Sequence, residues 1–185
     1  LTADTVSPTV GSDLRRNAFL SSLFASVLML IYISFRFELK SGVAAVIALI
    51  HDVLIMVSVY AIFQVPVNTS FIAAILTILG YSINDTIVIF DRIRENKKLM
   101  RKEEFSKVAN KSIWQSISRT INTSLTTLIT ITVLYVLGVQ SIKEFAFPLI
   151  IGLLAGTYSS IFIASPIWAM WQDWEDKKKS KVKTA

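Results

Sequence analysis

Gly80-Tyr81-Ser82-Ile83-Asn84-Asp85-Thr86-Ile87-Val88-Ile89-Phe90-Asp91-Arg92-Ile93-Arg94-Glu95-Asn96 decides how this chain is read. The stretch opens inside a long apolar segment and closes in a dense run of charge. If the apolar segment spans a membrane, Asp85 lies within it. An ionised carboxylate at a bilayer centre costs about 2.5–3.5 kcal/mol on insertion scales. Intramembrane carboxyls are therefore rare, and they mark ion or proton pathways.

Composition supports that setting. Charged residues make up 17% of the chain and the mean hydropathy is +0.57, whereas a soluble domain averages roughly 25% charged. The apolar residues fall into blocks of the length that crosses about 30 Å of hydrocarbon as a helix. We expect an all-α integral membrane protein, because a lipid-exposed segment satisfies its own backbone hydrogen bonds only as a helix. Five spans are expected, at 18–35, 42–63, 70–90, 120–139 and 145–171. They are preceded by a polar lead-in at 1–17 and followed by a basic tail at 172–185. The lead-in carries no signal-peptide pattern, and the abrupt start suggests a segment that begins mid-protein. Cysteine is absent, which excludes disulfides, thiolate metal sites and a cysteine nucleophile.

Orientation follows from Lys and Arg. The connections at 36–41, 91–119 and 172–185 hold sixteen of these residues, and the remaining connections, with the lead-in, hold three. The positive-inside rule places the N-terminus of the segment outside and the C-terminus in the cytoplasm. The basic tail then reads as a solvated end beside anionic lipid, with no nucleic-acid partner. Ile93, Met100, Phe105, Val108, Ala109 and Ile113 recur at helical spacing in the connection 91–119. They predict either an amphipathic surface helix or a solvated extension of the third span. Trp168, Trp171 and Trp174 are expected as interfacial anchors.

Three polar sets lie inside the spans. His51-Asp52 sits near the middle of the second span. Adjacent helical residues point about 100° apart, so one of the two faces the bundle interior. The pair either ties helices together or carries protons. Asn84-Asp85 lies in the third span, with Asp85 about 9 Å along the helix from the charged border at Asp91. Gly80 and Ser82 just above it allow close packing. In the fourth span, Arg119, Asn122, Thr123, Thr126, Thr127 and Thr130 share one face, which we expect to be hydrated and to meet Asp85. In the fifth span, Gly152, Gly156, Ser160 and Ala164 are spaced by four, as in close helix packing. Pro166 is expected to bend the inner end.

Burial disfavours an ionised carboxyl and a neighbouring cation favours it, while Arg stays charged at any relevant pH. A carboxyl alternating between a dry setting and an Arg-paired one therefore loads and unloads protons. That is the minimum equipment for coupling a proton gradient to a change of shape. One charge crossing 100 mV is worth about 2.3 kcal/mol, enough to bias a two-state element. Three rivals stand beside this reading. One is an intramembrane aspartyl protease built on Asp52 and Asp85, which lacks the GxGD pattern. Another is a scaffold whose polar groups only hold helices together. The third is an exporter of small molecules or lipids. No GxxxxGK[ST] stretch occurs, which disfavours an ATPase.

The sequence resembles the SecD/SecF family of the bacterial Sec translocase, within the resistance-nodulation-division (RND) superfamily. The resemblance rests on Val6 to Gly11, Ala48 to Asp52, Gly80 to Asn96, Ser118 to Ser124 and Gly152 to Ser160. Ser7 stands where the family usually has Gly, a difference that touches a turn only. The resemblance implies the C-terminal membrane part of a SecF or of a fused SecDF. The five spans would be helices two to six of a six-helix half, with the first helix and the extracellular domain lying upstream. It implies a proton-driven, non-enzymatic role in preprotein translocation across the bacterial cytoplasmic membrane, after SecA and SecYEG have acted. It also implies SecD as partner, fused or separate, with YajC and YidC as further candidates, and no cofactor beyond the proton gradient. Asp85 matches the family's proton-carrying Asp and Arg119 its conducting-path Arg. His51, Asp52, Asn84, Asn122, Thr123 and Thr126 are assigned as supporting polar positions.

Overall fold

The computed structural model describes residues 16, 17, 20, 21, 23–25, 27, 28, 31 and 38–183. Residues 1–15 of the lead-in, most of the expected first span and the last two residues of the tail lie outside them. Among the described residues there are four stretches of helix long and apolar enough to cross a membrane, and the architecture is all-helical.

The first, α1, runs Leu39–Ile62. Gln64, at φ 51, and then Pro66 break the chain into a short connection. The Asn68 side chain accepts a hydrogen bond from Phe71 N at 3.0 Å and caps α2, Thr69–Leu99. A brief turn leads into α3, Phe105–Leu137. Gly138 ends α3 in a crowded corner, where a Cβ would lie 2.8 Å from Ile142 Cγ2. The last stretch is α4, Gln140–Ser159, followed by a π turn at Ser160–Ala164 and by α5, Ser165–Lys183.

The π turn precedes Pro166, which has no N–H to give the preceding turn and whose ring crowds the carbonyl four residues back. Widening that turn relieves the crowding, and Ser165 Oγ donates into it, to Ser160 O at 3.0 Å.

The connection 91–119 is not a separate surface helix. It is the end of α2, a turn and the start of α3. Solvated charge does not stop a helix, and the apolar residues of this region have helical partners. Ile93, Phe105, Val108 and Ala109 are buried. Trp168 is a second correction. It is 2% exposed, held edge-on to Phe90 at 4.8 Å and to Phe105 at 5.1 Å. Trp174 is exposed, and Trp171 marginally so.

α4 packs against α1, α2 and α3 and is the centre of the bundle. Lipid tails are as apolar as Leu, so helices associate in a membrane through close packing and polar bonds. Gly152 and Gly156 provide the closeness. A Cβ on Gly152 would lie 2.6 Å from Ile78 Cγ1 and 2.8 Å from Met56 Sδ, and one on Gly156 would lie 2.9 Å from Ser82 Cβ. Gly80 does not share this role. Among the described residues a Cβ there would meet nothing within 4 Å, because its position on α2 points away from the described neighbouring helices.

Candidate functional site

Asp85 and Asp52 are the two carboxyls of the membrane interior, at 3% and 0% exposure. Both sit at the level of α4 where Gly156 brings the helices together, and hydroxyls surround them.

Asp52 projects from α1. Its Oδ2 accepts Ser82 Oγ of α2 at 2.6 Å and Ser159 Oγ of α4 at 2.9 Å. Its Oδ1 lies 3.2 Å from His51 Nδ1. Asp52 is thus the inward member of the pair. The half-buried His51 ring turns toward Tyr158, with centroids 6.2 Å apart.

Asp85 lies one turn beyond Ser82 on α2 and faces α3. Its Oδ2 accepts Ser124 Oγ at 3.2 Å, and Ser124 Oγ lies 2.8 Å from Thr157 Oγ1 of α4. A third cross-link joins Thr86 Oγ1 to Ser160 Oγ at 2.9 Å. Among the described residues Asp85 forms no ion pair; Arg119 stands five residues before Ser124 on α3. Arg119 is exposed. It lines a cleft of about 690 Å³ between α2 and α3 with Val88, Asp91, Arg92, Glu95 and Ser116.

The face of α3 that meets Asp85 is not the expected one. Ser112, Ser116, Thr120 and Ser124 form the buried row, and their small side chains let α3 approach α2 and α4. The stripe of Arg119, Asn122, Thr123, Thr126 and Thr130 lies roughly a quarter turn away and is exposed, as is Asn84. Thr127 is half-buried, and the Tyr81 hydroxyl of α2 lies 3.0 Å from its Oγ1. Asn84, Asn122, Thr123 and Thr126 therefore do not gather round Asp85. The partner that does, Ser124, and Thr157 behind it were not singled out from sequence, nor were Ser82 and Ser159 as partners of Asp52. A spacing of four from Ser112 to Ser124 was the available signal. Ser and Thr serve equally as packing residues, so it did not separate this face from the next.

These features define a class: an all-α, multi-pass membrane domain with a buried, hydroxyl-bonded carboxyl beside an arginine-lined cleft. A family model described as protein export membrane protein SecD/SecF, C-terminal, matches residues 1–174. The chain belongs to that family. It is 48% identical over 181 residues to the protein translocase subunit SecF of Alicyclobacillus acidocaldarius, across 96% of this chain and 59% of the relative. It is 46% identical over 179 residues to the protein translocase subunit SecDF of Bacillus subtilis, across 95% of this chain and 24% of the relative. The crystal structure of SecDF from Thermus thermophilus, described as a translocon-associated membrane protein, superposes with a TM-score of 0.84 at 44% identity, covering 90% of this chain and 23% of that one. The chain thus spans less than two thirds of these relatives.

Proposed function

We propose that this chain is the membrane motor part of a SecF-like subunit of the Sec protein translocase. With SecD, it uses the proton-motive force to promote preprotein movement across the cytoplasmic membrane after SecA and SecYEG have acted. The observation that carries the proposal is the placement of Asp85. It is a buried carboxyl on a membrane-length helix, bonded to the Ser124 hydroxyl five residues after Arg119 on α3, in a chain matched along almost its whole length to the SecD/SecF family.

In this reading Asp85 takes a proton from one side of the membrane and releases it toward the cleft when α3 brings Arg119 closer. The buried Thr120 hydroxyl, which has no hydrogen-bond partner among the described residues, is a further group available to a proton or a water beside Ser124. The exposed polar stripe of α3, together with Asn84, is poorly suited to lipid, and we place SecD against it.

The test is preprotein export by the whole SecDF-type protein in inverted vesicles at imposed proton gradients. Wild type should respond to the gradient. Asp85→Asn should lose the response, and Arg119→Ala should lose most of it, with co-purification of SecD unchanged. The hydroxyl bridges also suit a purely structural scaffold, and that reading predicts an unchanged gradient response in Asp85→Asn.

A further inference from the structure

Three hydroxyls near the C-terminal end of α4 and in the first residue of the π turn reach three different helices. Thr157 meets Ser124 of α3, Ser159 meets Asp52 of α1, and Ser160 meets Thr86 of α2. At about 100° per residue these side chains diverge, so one short segment of α4 is pinned from three sides.

Asp52 is the strongest of the pins. A single oxygen, Oδ2, takes O–H donors from two helices at once, and so ties Ser82 of α2 and Ser159 of α4 to one point. Ser82 lies three residues before Asp85 and four before Thr86, so whatever fixes Ser82 fixes the level of Asp85 against Ser124. No slack exists at this point. A Cβ on Gly156 would lie 3.5 Å from Asp52 Oδ2 as well as 2.9 Å from Ser82 Cβ.

We propose that Asp52 is a positioning residue for Asp85. It locks the register of α2 against α4 through Ser82 and Ser159, and the π turn at Ser160–Ala164 is where α4 yields when that register changes. Such turns recur at functional sites, because they hold an extra residue without ending the helix. The inference rests on the reading of Asp85 as the proton-carrying group. It assigns Asp52 no proton of its own. The titratable and charged groups facing this region are His51 beside Asp52, Asp85 on α2 and Arg119 on α3. α4 and the π turn present hydroxyls, and the first charged residue of α5 is Asp173.

The register is read by a cysteine pair, Thr86→Cys with Ser160→Cys, in the whole SecDF-type protein in membranes. The two side-chain oxygens are 2.9 Å apart, which brings the β-carbons near disulfide reach, and this segment has no cysteine of its own. Adding Asp52→Ala should lower the cross-linking yield at least about threefold. Asp52→Asn, which keeps an acceptor oxygen, should stay within about twofold of the parent. Asp85 is read separately, by its labelling with dicyclohexylcarbodiimide across pH. The labelling profile should change in Asp52→Ala and persist in Asp52→Asn. Ser82→Ala, which removes one hydroxyl, replaces Asp52→Ala if that variant fails to assemble.

Parent-level cross-linking in Asp52→Ala, or in Ser82→Ala where it stands in, overturns the lock. A lowered cross-link with unchanged Asp85 labelling overturns the positioning role. Labelling of wild-type Asp85 that ignores pH would sink the proton reading instead, and the cross-link would still decide the register.

Discussion

The two carboxyls of this bundle live in contrasting regions. Asp52 lies in a closed seam, where α1, α2 and α4 meet across glycine and serine and two hydroxyls converge on one oxygen. Asp85 lies one turn away, at the edge of an open region. Among the described residues it has a single hydroxyl partner, and beyond it are an arginine-lined cleft and the exposed polar face of α3. The contrast teaches that burial alone does not mark a working group. A fully satisfied carboxyl is held still, and buried polar networks of that kind rigidify what surrounds them. In the proposed reading, the carboxyl with spare hydrogen-bonding capacity, one turn from the cleft at Val88, is the one that changes state.

Substitutions that compare the two regions should differ in size. The largest effect belongs outside both regions, where α5 packs against α2 and α3. Trp168→Ala should cost about 3–5 kcal/mol, read as a lowered melting temperature of the purified protein, because it empties the space between Phe90 and Phe105. Trp174→Ala, at 62% exposure, should shift it little. Next, Gly156→Ala should destabilise by about 1–3 kcal/mol through overpacking against Ser82. Smaller again is the loss at the edge. Ser124→Ala should reduce gradient-driven export about fivefold, the worth of one typical hydrogen bond at about 1 kcal/mol. Thr126→Ala on the exposed stripe should change export less than about twofold. Equal effects at Ser124 and Thr126 would erase the distinction between the buried row and the stripe. Smallest is Gly80→Ala. It fills open space in a helix interior and should leave stability unchanged or raise it by up to about 1 kcal/mol.

Much of the fold was legible in the sequence, because hydropathy blocks and tight connections carry it. The four described membrane-length helical stretches begin and end close to the apolar blocks, except where α2, α3 and α5 run through charged residues. Solvated charge does not end a helix, so composition missed Leu99 and Phe105 as termini. The burial of Asp85 and the tight fit at Gly152 and Gly156 were also readable, from position in a block and from spacing. The rotation of α3 was not. The stripe from Arg119 to Thr130 and the row from Ser112 to Ser124 are both small and polar, and only the shape of the facing helices chooses between them. The π turn leaves no periodic trace, since a single extra residue is hidden by the all-round apolarity of the last span. Gly80 was misassigned for a related reason: a glycine beside a functional motif looks the same whether or not a helix lies across from it.

The account turns on whether Asp85 carries protons. The most direct measurement is proton uptake by proteoliposomes containing the whole SecDF-type protein, followed with an entrapped pH-sensitive dye under an imposed gradient. The account predicts gradient-driven flux in the wild type and its loss in Asp85→Asn, with the variant reconstituted to the same level. Equal flux in the two would contradict it.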